Sequence, residues 1–385
     1  MKFMHLGDLH LGRTLGDFSL IEDQKYILEQ LLEIAKEQGV DAIFLAGDIY
    51  DKSIPSEAAV QLLDTFLSEL ANRKIKTYMI SGNHDSEERL HFGSRLFEEK
   101  EIHISAKYQG KLEHRIIQDS FGEVHVYLLP FVKASKVKGF YPDEEIQTYD
   151  DAVRVILEHT QIDMSQRNIL IAHQFVAGKG VDIKTVGSEG LAVQNVGLIE
   201  QIGYDSLEMF DYVALGHIHG PQKIGRDYIR YSGSPLKYSL TEANNDKSVP
   251  IVTMEEKGKM DISLVPLVPK RDVRHLKGTL EQLLDPKMII APEDYIYVTL
   301  TNEDIVNDAM GIFQQYYPNT VKIDYDNSHT KELEQIDITN TVNNKSFTEL
   351  ISDFYSLMYG CEITEEEMIL MKEVAREAGV EVEAD

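Results

Sequence analysis

The sequence predicts an α/β protein with two layers of strands flanked by helices. Between residues 2 and 80, short apolar runs alternate with segments of helical spacing. That rhythm is the signature of a mostly parallel sheet with right-handed crossovers. Between residues 112 and 265, strand-like runs dominate and supply a second sheet. A chain of 385 residues, 43% hydrophobic, has room for that core and for more than one domain.

Each element has its own local reason. Lys2–Leu6 reads as a buried strand ending at Gly7-Asp8, and Asp23–Gln38 carries Ile27, Leu31, Ile34 and Ala35 at helical spacing before Gly39. Asp41–Ala46 is the next strand, ending at Gly47-Asp48. Pro55 is expected to open a helix through Leu62, Phe66 and Leu70, and Lys76–Ile80 to be a strand ending at Gly82-Asn83-His84. Leu112–Gln118 and Glu123–Leu129 flank Phe121-Gly122 as a hairpin. Asn168–Ala172 and Asp211–Leu215 are short strands that deliver His173 and His217. Arg230–Tyr231, Val249–Met254 and Asp261–Val265 read as closing strands of the second sheet.

Two prolines and charge interrupt the pattern at Pro266–Asp272. The expected division is therefore residues 1–268, a small strand–helix–strand domain at 269–338, and a linker with terminal helices at 339–385. The small domain rests on strands at Tyr295–Leu300 and Thr320–Tyr325 around a helix at Asp304–Tyr317. Thr339–Lys345 reads as a polar linker. Phe347, Leu350, Ile351, Phe354, Leu357 and Met358 then form an apolar helical stripe, followed by a helix at Glu365–Ala378 ending near Gly379.

Composition narrows the function. The single cysteine, Cys361, cannot form an internal disulfide, which suits a reducing cytoplasm and excludes four-thiolate zinc sites. No apolar stretch approaches membrane-spanning length and no leader-like run follows Met1, so a cytoplasmic protein without membrane contact is expected. The net charge of −27 opposes a chain that grips nucleic acid alone. A nucleic-acid substrate would call for bound metal, a partner protein or a local basic stretch such as Lys133, Lys136 and Lys138.

Five short motifs carry the chemistry, each just past a strand-like run: Asp8-Leu9-His10, Gly47-Asp48, Gly82-Asn83-His84-Asp85, Ala172-His173 and Gly216-His217-Ile218-His219. Any one of them alone could be an ordinary turn. Together they offer Asp8, His10, Asp48, Asn83, His173, His217 and His219 as metal ligands. Oxygen and imidazole donors without sulfur suit two divalent ions about 3.5–4 Å apart, with manganese preferred over iron or zinc. His84 is left over for catalysis, to protonate a departing oxygen or to steady the phosphate. Asp85 is expected to hydrogen-bond and steady that imidazole. Glycine at 47 and 82 is expected where the backbone turns sharply to aim these side chains.

This motif order resembles that of the calcineurin-like metallophosphoesterases, whose fold is a two-layered β-sandwich flanked by helices. In that family Asp8, His10, Asp48 and His219 would hold one ion. Asp48, Asn83, His173 and His217 would hold the other, and His84 would be catalytic. The phrases from His5 to Gly12, Ala46 to Asp51, Ser81 to Ser86, Ala214 to His219 and Tyr231 to Pro235 further resemble the SbcD family. These are nuclease subunits of bacterial SbcC–SbcD DNA-repair complexes. The resemblance implies 3′-to-5′ exonuclease action on duplex ends and endonuclease action on single strands and hairpins. It implies a coiled-coil ATPase partner of the SbcC type, which supplies much of the DNA grip, and two copies of this chain within a heterotetramer. The module after Pro269 would be a capping domain that helps seat DNA, and the terminal helices would dock on the ATPase coiled coil. Relatives often carry histidine where Asp51 stands, so Asp51 receives no role. The rival reading is a phosphoesterase of small molecules or phosphoproteins on the same metal site.

Overall fold

The structure, a computed structural model, describes residues 1–177, 201–328, 347–359 and 362–377. It opens with β1 (Lys2–Leu6), α1 (Ile21–Gln38), β2 (Ala42–Ala46), α2 (Glu57–Asn72), β3 (Lys76–Ile80) and β4 (Ile102–Ser105). These four strands pair in parallel in that order. The end of α1 follows from Gly39, whose φ of 62° lets its N–H return to Ala35 and Lys36 carbonyls. At α2 the cap is Ser56, whose hydroxyl accepts from Ala59 N–H, so the expected opener Pro55 lies one residue outside the cap.

The second sheet is built from β5 (Glu113–Asp119), β6 (Gly122–Leu129), β7 (Arg167–His173), β8 (Tyr212–Gly216), β9 (Gln222–Ile224) and β10 (Arg226–Tyr231). Its order is β9-β10-β8-β7-β6-β5. The expected hairpin is present as β5 and β6 in antiparallel register. Helices α3 (Ala134–Phe140) and α4 (Tyr149–Glu158) lie between β6 and β7, and α4 starts on a capping box of Thr148 and Asp151.

Two expected closing strands of the second sheet belong to the first. β11 (Ser248–Met254) pairs antiparallel with β1, and β12 (Met260–Pro266) extends that edge. Apolar alternation marks a strand but says nothing about which distant edge it completes. The first sheet therefore runs β12-β11-β1-β2-β3-β4.

Among the described residues, three buried clusters define the layers. Phe3, Phe44, Tyr78, Val126, Ile169, Tyr212 and Val252 fill the space between the sheets. Ile27, Leu31, Phe66 and Leu70 of α1 and α2 pack with Ile43 and Leu45 on the outer face of the first sheet. Val153 and Ile156 of α4 pack with Leu170 and Val213 on the outer face of the second. Central strands are thus buried on both faces, which is why AIFLA and YVALG read as unbroken apolar runs.

Beyond residue 268 come β13 (Val273–Gly278), β14 (Tyr295–Leu300), α5 (Ala309–Gln314) and β15 (Thr320–Tyr325), then α6 (Phe347–Tyr359) and α7 (Glu365–Glu377). β13, β14 and β15 form a three-stranded sheet, and β13 has no counterpart in the expected strand–helix–strand pattern. Helix α5 is shorter than expected because Asp308, at φ 51°, caps its start. The chain divides into two compact units, residues 1–277 with 281–299 and 308–323, and residues 278–280 with 300–307 and 324–385. Within the first unit, Asp23 of α1 binds Arg271 and the Tyr295 hydroxyl. Within the second, α7 opens with Thr364 and Glu367 capping each other's backbone N–H, and the Tyr355 hydroxyl of α6 donates to Glu367. The expected linker at 339–345, together with Cys361 and Gly379, lies outside the described residues. No helix among the described residues is long and apolar enough to cross a membrane.

Candidate metal centre

The ends of five parallel strands meet at one edge of the sandwich, the place where open α/β sheets build their sites. Asp8 and His10 follow β1, Asp48 follows β2, Asn83 and His84 follow β3, His173 ends β7, and His217 and His219 follow β8. Backbone hydrogen bonds from Asp8 N to Gly47 O and from His10 N to Asp48 O lace the first two loops together. Asp8, His10, Asp48 and His217 all take positive φ, at 54°, 43°, 48° and 107°. That region costs an L-residue about 1–2 kcal/mol, so four site residues sit in backbone that the surrounding fold must enforce.

Glycine serves the site through close approach. A side-chain carbon at Gly82 would overlap Asp48, and one at Gly216 would overlap the Ala46 carbonyl and stand 2.8 Å from His173 Nδ1. Gly47 does turn sharply, at φ 81°, as expected. Gly82 has no such φ, and glycine is needed there for space instead.

All seven expected ligands converge. Among the described residues, three groups have potential ligand atoms within 4.8 Å of one another: Asp8, His10 and His219; Asp8, Asp48 and His173; and His10, Asp48 and His84. His10 Nε2 faces His219 Nε2 at 3.1 Å. The Asn83 side-chain oxygen lies 3.1 Å from both His173 Nε2 and His217 Nδ1. Asp48 Oδ2 is 3.3 Å from His173 Nε2 and 3.6 Å from His10 Nε2. Asp8 accepts from the backbone N–H of His217.

Electrostatics show the strain of this crowding. Burial pushes the Asp8 carboxyl up to about 6, with His173 opposing and the Asp48 charge adding. Burial holds His217 down at about 3, helped by its neighbour His173. Burial pulls His173 down too, but Asp48 and Asp8 outweigh it and bring the imidazole up to about 9. Buried carboxylates and imidazoles turning lone pairs on one another fit a divalent cation, which satisfies several of them at once. The set has oxygen and nitrogen donors and no sulfur, so the residues present fit the expected metals.

The catalytic candidate is held differently from expectation. Asp85 does not meet the His84 imidazole. Its carboxylate accepts N–H groups from Gly82, Ile49 and Tyr50, closing the loop beneath the site. His84 Nδ1 instead bonds the Asp51 backbone carbonyl at 2.9 Å, and His84 N–H donates to Asp48 Oδ1. The carboxylate next to His84 in sequence is captured by three orphan amides, a demand that local spacing does not reveal.

Four further residues belong to the site. The buried Asp51 carboxylate pairs with Arg13 at 2.8 Å and lies 3.6 Å from His10 Nδ1. Burial pushes Asp51 up, but His10 and Arg13 win and bring it to about 2. His219 Nδ1 lies 3.4 Å from the buried Glu242 carboxylate, which binds Lys247. Asp51 could have been flagged from its place in the Asp48 motif. Glu242 and Lys247 sit in a polar stretch with no motif and carry no signal.

Comparison with known proteins gives the following likenesses. The calcineurin-like phosphoesterase family profile matches residues 1–221, and the type 5 capsule protein repressor C-terminal domain profile matches 269–359. The SbcD subunit of nuclease SbcCD from Staphylococcus epidermidis is 36% identical over 84% of this chain and 85% of its own length. The protein of the same name from Staphylococcus saprophyticus is 35% identical over 84% of each. A crystal structure from Thermus thermophilus covers 68% of this chain and 98% of its own at 13% identity, with a TM-score of 0.39.

Proposed function

The chain belongs to the calcineurin-like phosphoesterases and, within them, to the SbcD family, and from that premise we propose that it is a metal-dependent DNA nuclease subunit. The observation that carries this reading is the convergence of seven oxygen and nitrogen donors, with His84 beside them, on one strand-end cluster in which Asp8, His10, Asp48, His173 and His219 are buried. Asp8, His10, Asp48 and His219 would hold one divalent ion, and Asp48, Asn83, His173 and His217 a second, with manganese preferred. When bound, two such ions would supply Lewis acidity toward a phosphoryl oxygen and would lower the pKa of water, making hydroxide available as a nucleophile.

The chain's own residues do the rest. The Asp51 carbonyl can only accept, so His84 Nδ1 carries hydrogen and Nε2 is left for substrate. In its imidazolium form His84 gives that Nε2 proton to the departing oxygen. Asp85 holds the loop that carries Asn83 and His84.

The substrate proposed is DNA, cut as a 3′-to-5′ exonuclease on duplex ends and as an endonuclease on single strands and hairpins. The relatives' name and the C-terminal match at 269–359 support it. Residues 269–338 would act as the capping domain. Phe354 of α6 and Ile369, Leu370 and Val374 of α7 are exposed apolar side chains suited to docking on an SbcC-type coiled-coil ATPase. Two copies of the chain in a heterotetramer complete the proposed assembly. Of the basic stretch, Lys133 and Lys138 are exposed, whereas Lys136 is committed to Glu87.

Cleavage of an end-labelled DNA hairpin in manganese tests this, comparing the intact chain with His84→Ala, with and without an SbcC-type ATPase. Cutting by the intact chain, lost in the variant, is expected. Hydrolysis of a generic phosphodiester with no DNA cleavage under either condition would favour the small-substrate phosphoesterase instead.

A further inference from the structure

We propose that Glu242, locked by Lys247, is a positioning residue that fixes the His219 imidazole for cation binding in the Asp8, His10 and His219 group. The proposal rests on reading that cluster as a metal centre.

Glu242 lies in the short turn Leu240–Glu242 and is fully buried. A carboxylate in that position needs donors on both oxygens. Oε2 receives the Lys247 ammonium at 2.5 Å. Oε1 receives the Tyr238 backbone N–H at 3.2 Å and faces His219 Nδ1 at 3.4 Å. Lys247, also buried, directs further bonds to the His219 backbone carbonyl at 3.0 Å and the Ser234 hydroxyl at 2.8 Å. One ion pair therefore grips the same histidine twice, at its ring through Glu242 and at its carbonyl through Lys247.

The chemistry follows from the tautomer. A carboxylate behind Nδ1 holds the proton there and leaves the Nε2 lone pair pointing away. His219 Nε2 is the atom that faces His10 Nε2 at 3.1 Å, inside the candidate centre. Such a carboxylate also raises the basicity of the liganding nitrogen. Stability alone is a weak reason to keep this pair, since well-packed apolar residues often replace a buried ion pair without loss. Its aim at one imidazole gives it a reason.

The test uses the full chain and manganese alone as probe, titrated calorimetrically and by electron paramagnetic resonance of the free ion. Glu242→Gln strands the Lys247 charge and is prone to misfold, so Glu242→Gln with Lys247→Met is made beside it. The double variant should keep the wild-type circular dichroism spectrum without metal. Its affinity for one of the manganese ions should fall about 10–100-fold. Excess manganese should then restore hydrolysis of a generic phosphodiester. Nitrogen-15 spectra of the metal-free wild type should show His219 protonated at Nδ1. Wild-type manganese affinity in the folded double variant, or a His219 protonated at Nε2, would overturn the proposal while leaving the metal centre standing. A wild-type chain that binds no manganese would instead remove the metal centre itself, and this inference with it.

Discussion

The two halves of the candidate centre are supported by different physics. In the half formed by Asp8, His10 and His219, the rear nitrogens of the imidazoles face carboxylates. Glu242 stands 3.4 Å behind His219 and Asp51 3.6 Å behind His10, each paired with its own cation. In the half formed by Asp48, Asn83, His173 and His217, His173 Nδ1 rests 2.8 Å from the Ala46 backbone carbonyl, and Gly216 leaves room for both. One half depends on charged side chains distant in sequence, the other on how closely two strand ends approach. The first should therefore respond to charge and hydrogen-bond changes, the second to volume.

The largest expected effect separates chemistry from both halves. His84→Ala should lower phosphodiester cleavage about 10²–10⁴-fold, the usual worth of a positioned acid or base, while manganese content is kept. Loss of manganese in that variant would make His84 a third imidazole of the first half, which its place beside His10 and Asp48 permits. Next, Gly216→Ala strikes the second half through volume. It should cost about 3 kcal/mol in urea unfolding, and a neutral result would remove close approach as the support of that half. Asp51→Asn probes the weaker carboxylate of the first half. Because 3.6 Å is longer than a good hydrogen bond, manganese affinity should fall only about tenfold, at the low end for such partners. A larger loss than in the Glu242 and Lys247 double variant would reverse the ranking of the two carboxylates.

A separate effect, on stability alone, sets the pH range in which the halves can be compared. His5 bridges the sheets between the Tyr212 hydroxyl and the Leu215 carbonyl. Burial, with the Arg230 charge adding, lowers its pKa from 6.5 to about 3. Between those values the unfolded chain binds a proton that the folded chain refuses. Stability is thus complete above the unfolded value and declines as pH falls through the interval, by up to about 1.4 kcal/mol per pH unit. Urea unfolding of His5→Gln between pH 6.5 and 4.5 should show a shallower slope than wild type, and an equal slope would place the acid sensitivity elsewhere.

What is local is legible in the sequence. Each motif closes its own strand, so β1, β2, β3, β7 and β8 and the residues at their ends can be placed without knowing the rest. Pairing at a distance is hidden. The strand pattern of β11 and β12 is clear, yet only the packed structure sends β11 to β1, with β12 beside it, instead of to the second sheet. The same limit explains the missed site residues. Glu242 is 23 positions from His219, and nothing in its neighbours marks it as more than a polar turn. Asp85 misleads for the opposite reason: adjacency to His84 suggests a contact, but three nearby amides compete for its oxygens.

The left-handed backbone at Asp8, His10, Asp48 and His217 has a consequence for how this protein would age under mutation. Those conformations, with an Asp8 carboxyl that burial disfavours, make the working site a local debit against folding. Substitutions that relax the loops, such as glycine at a left-handed position, would leave the sandwich intact or firmer while disarming it. Decay of this centre would then go unnoticed by any quality control that recognises only unfolded chains. Inactive copies would accumulate as well-folded molecules, still able to occupy whatever place in an assembly their surface permits.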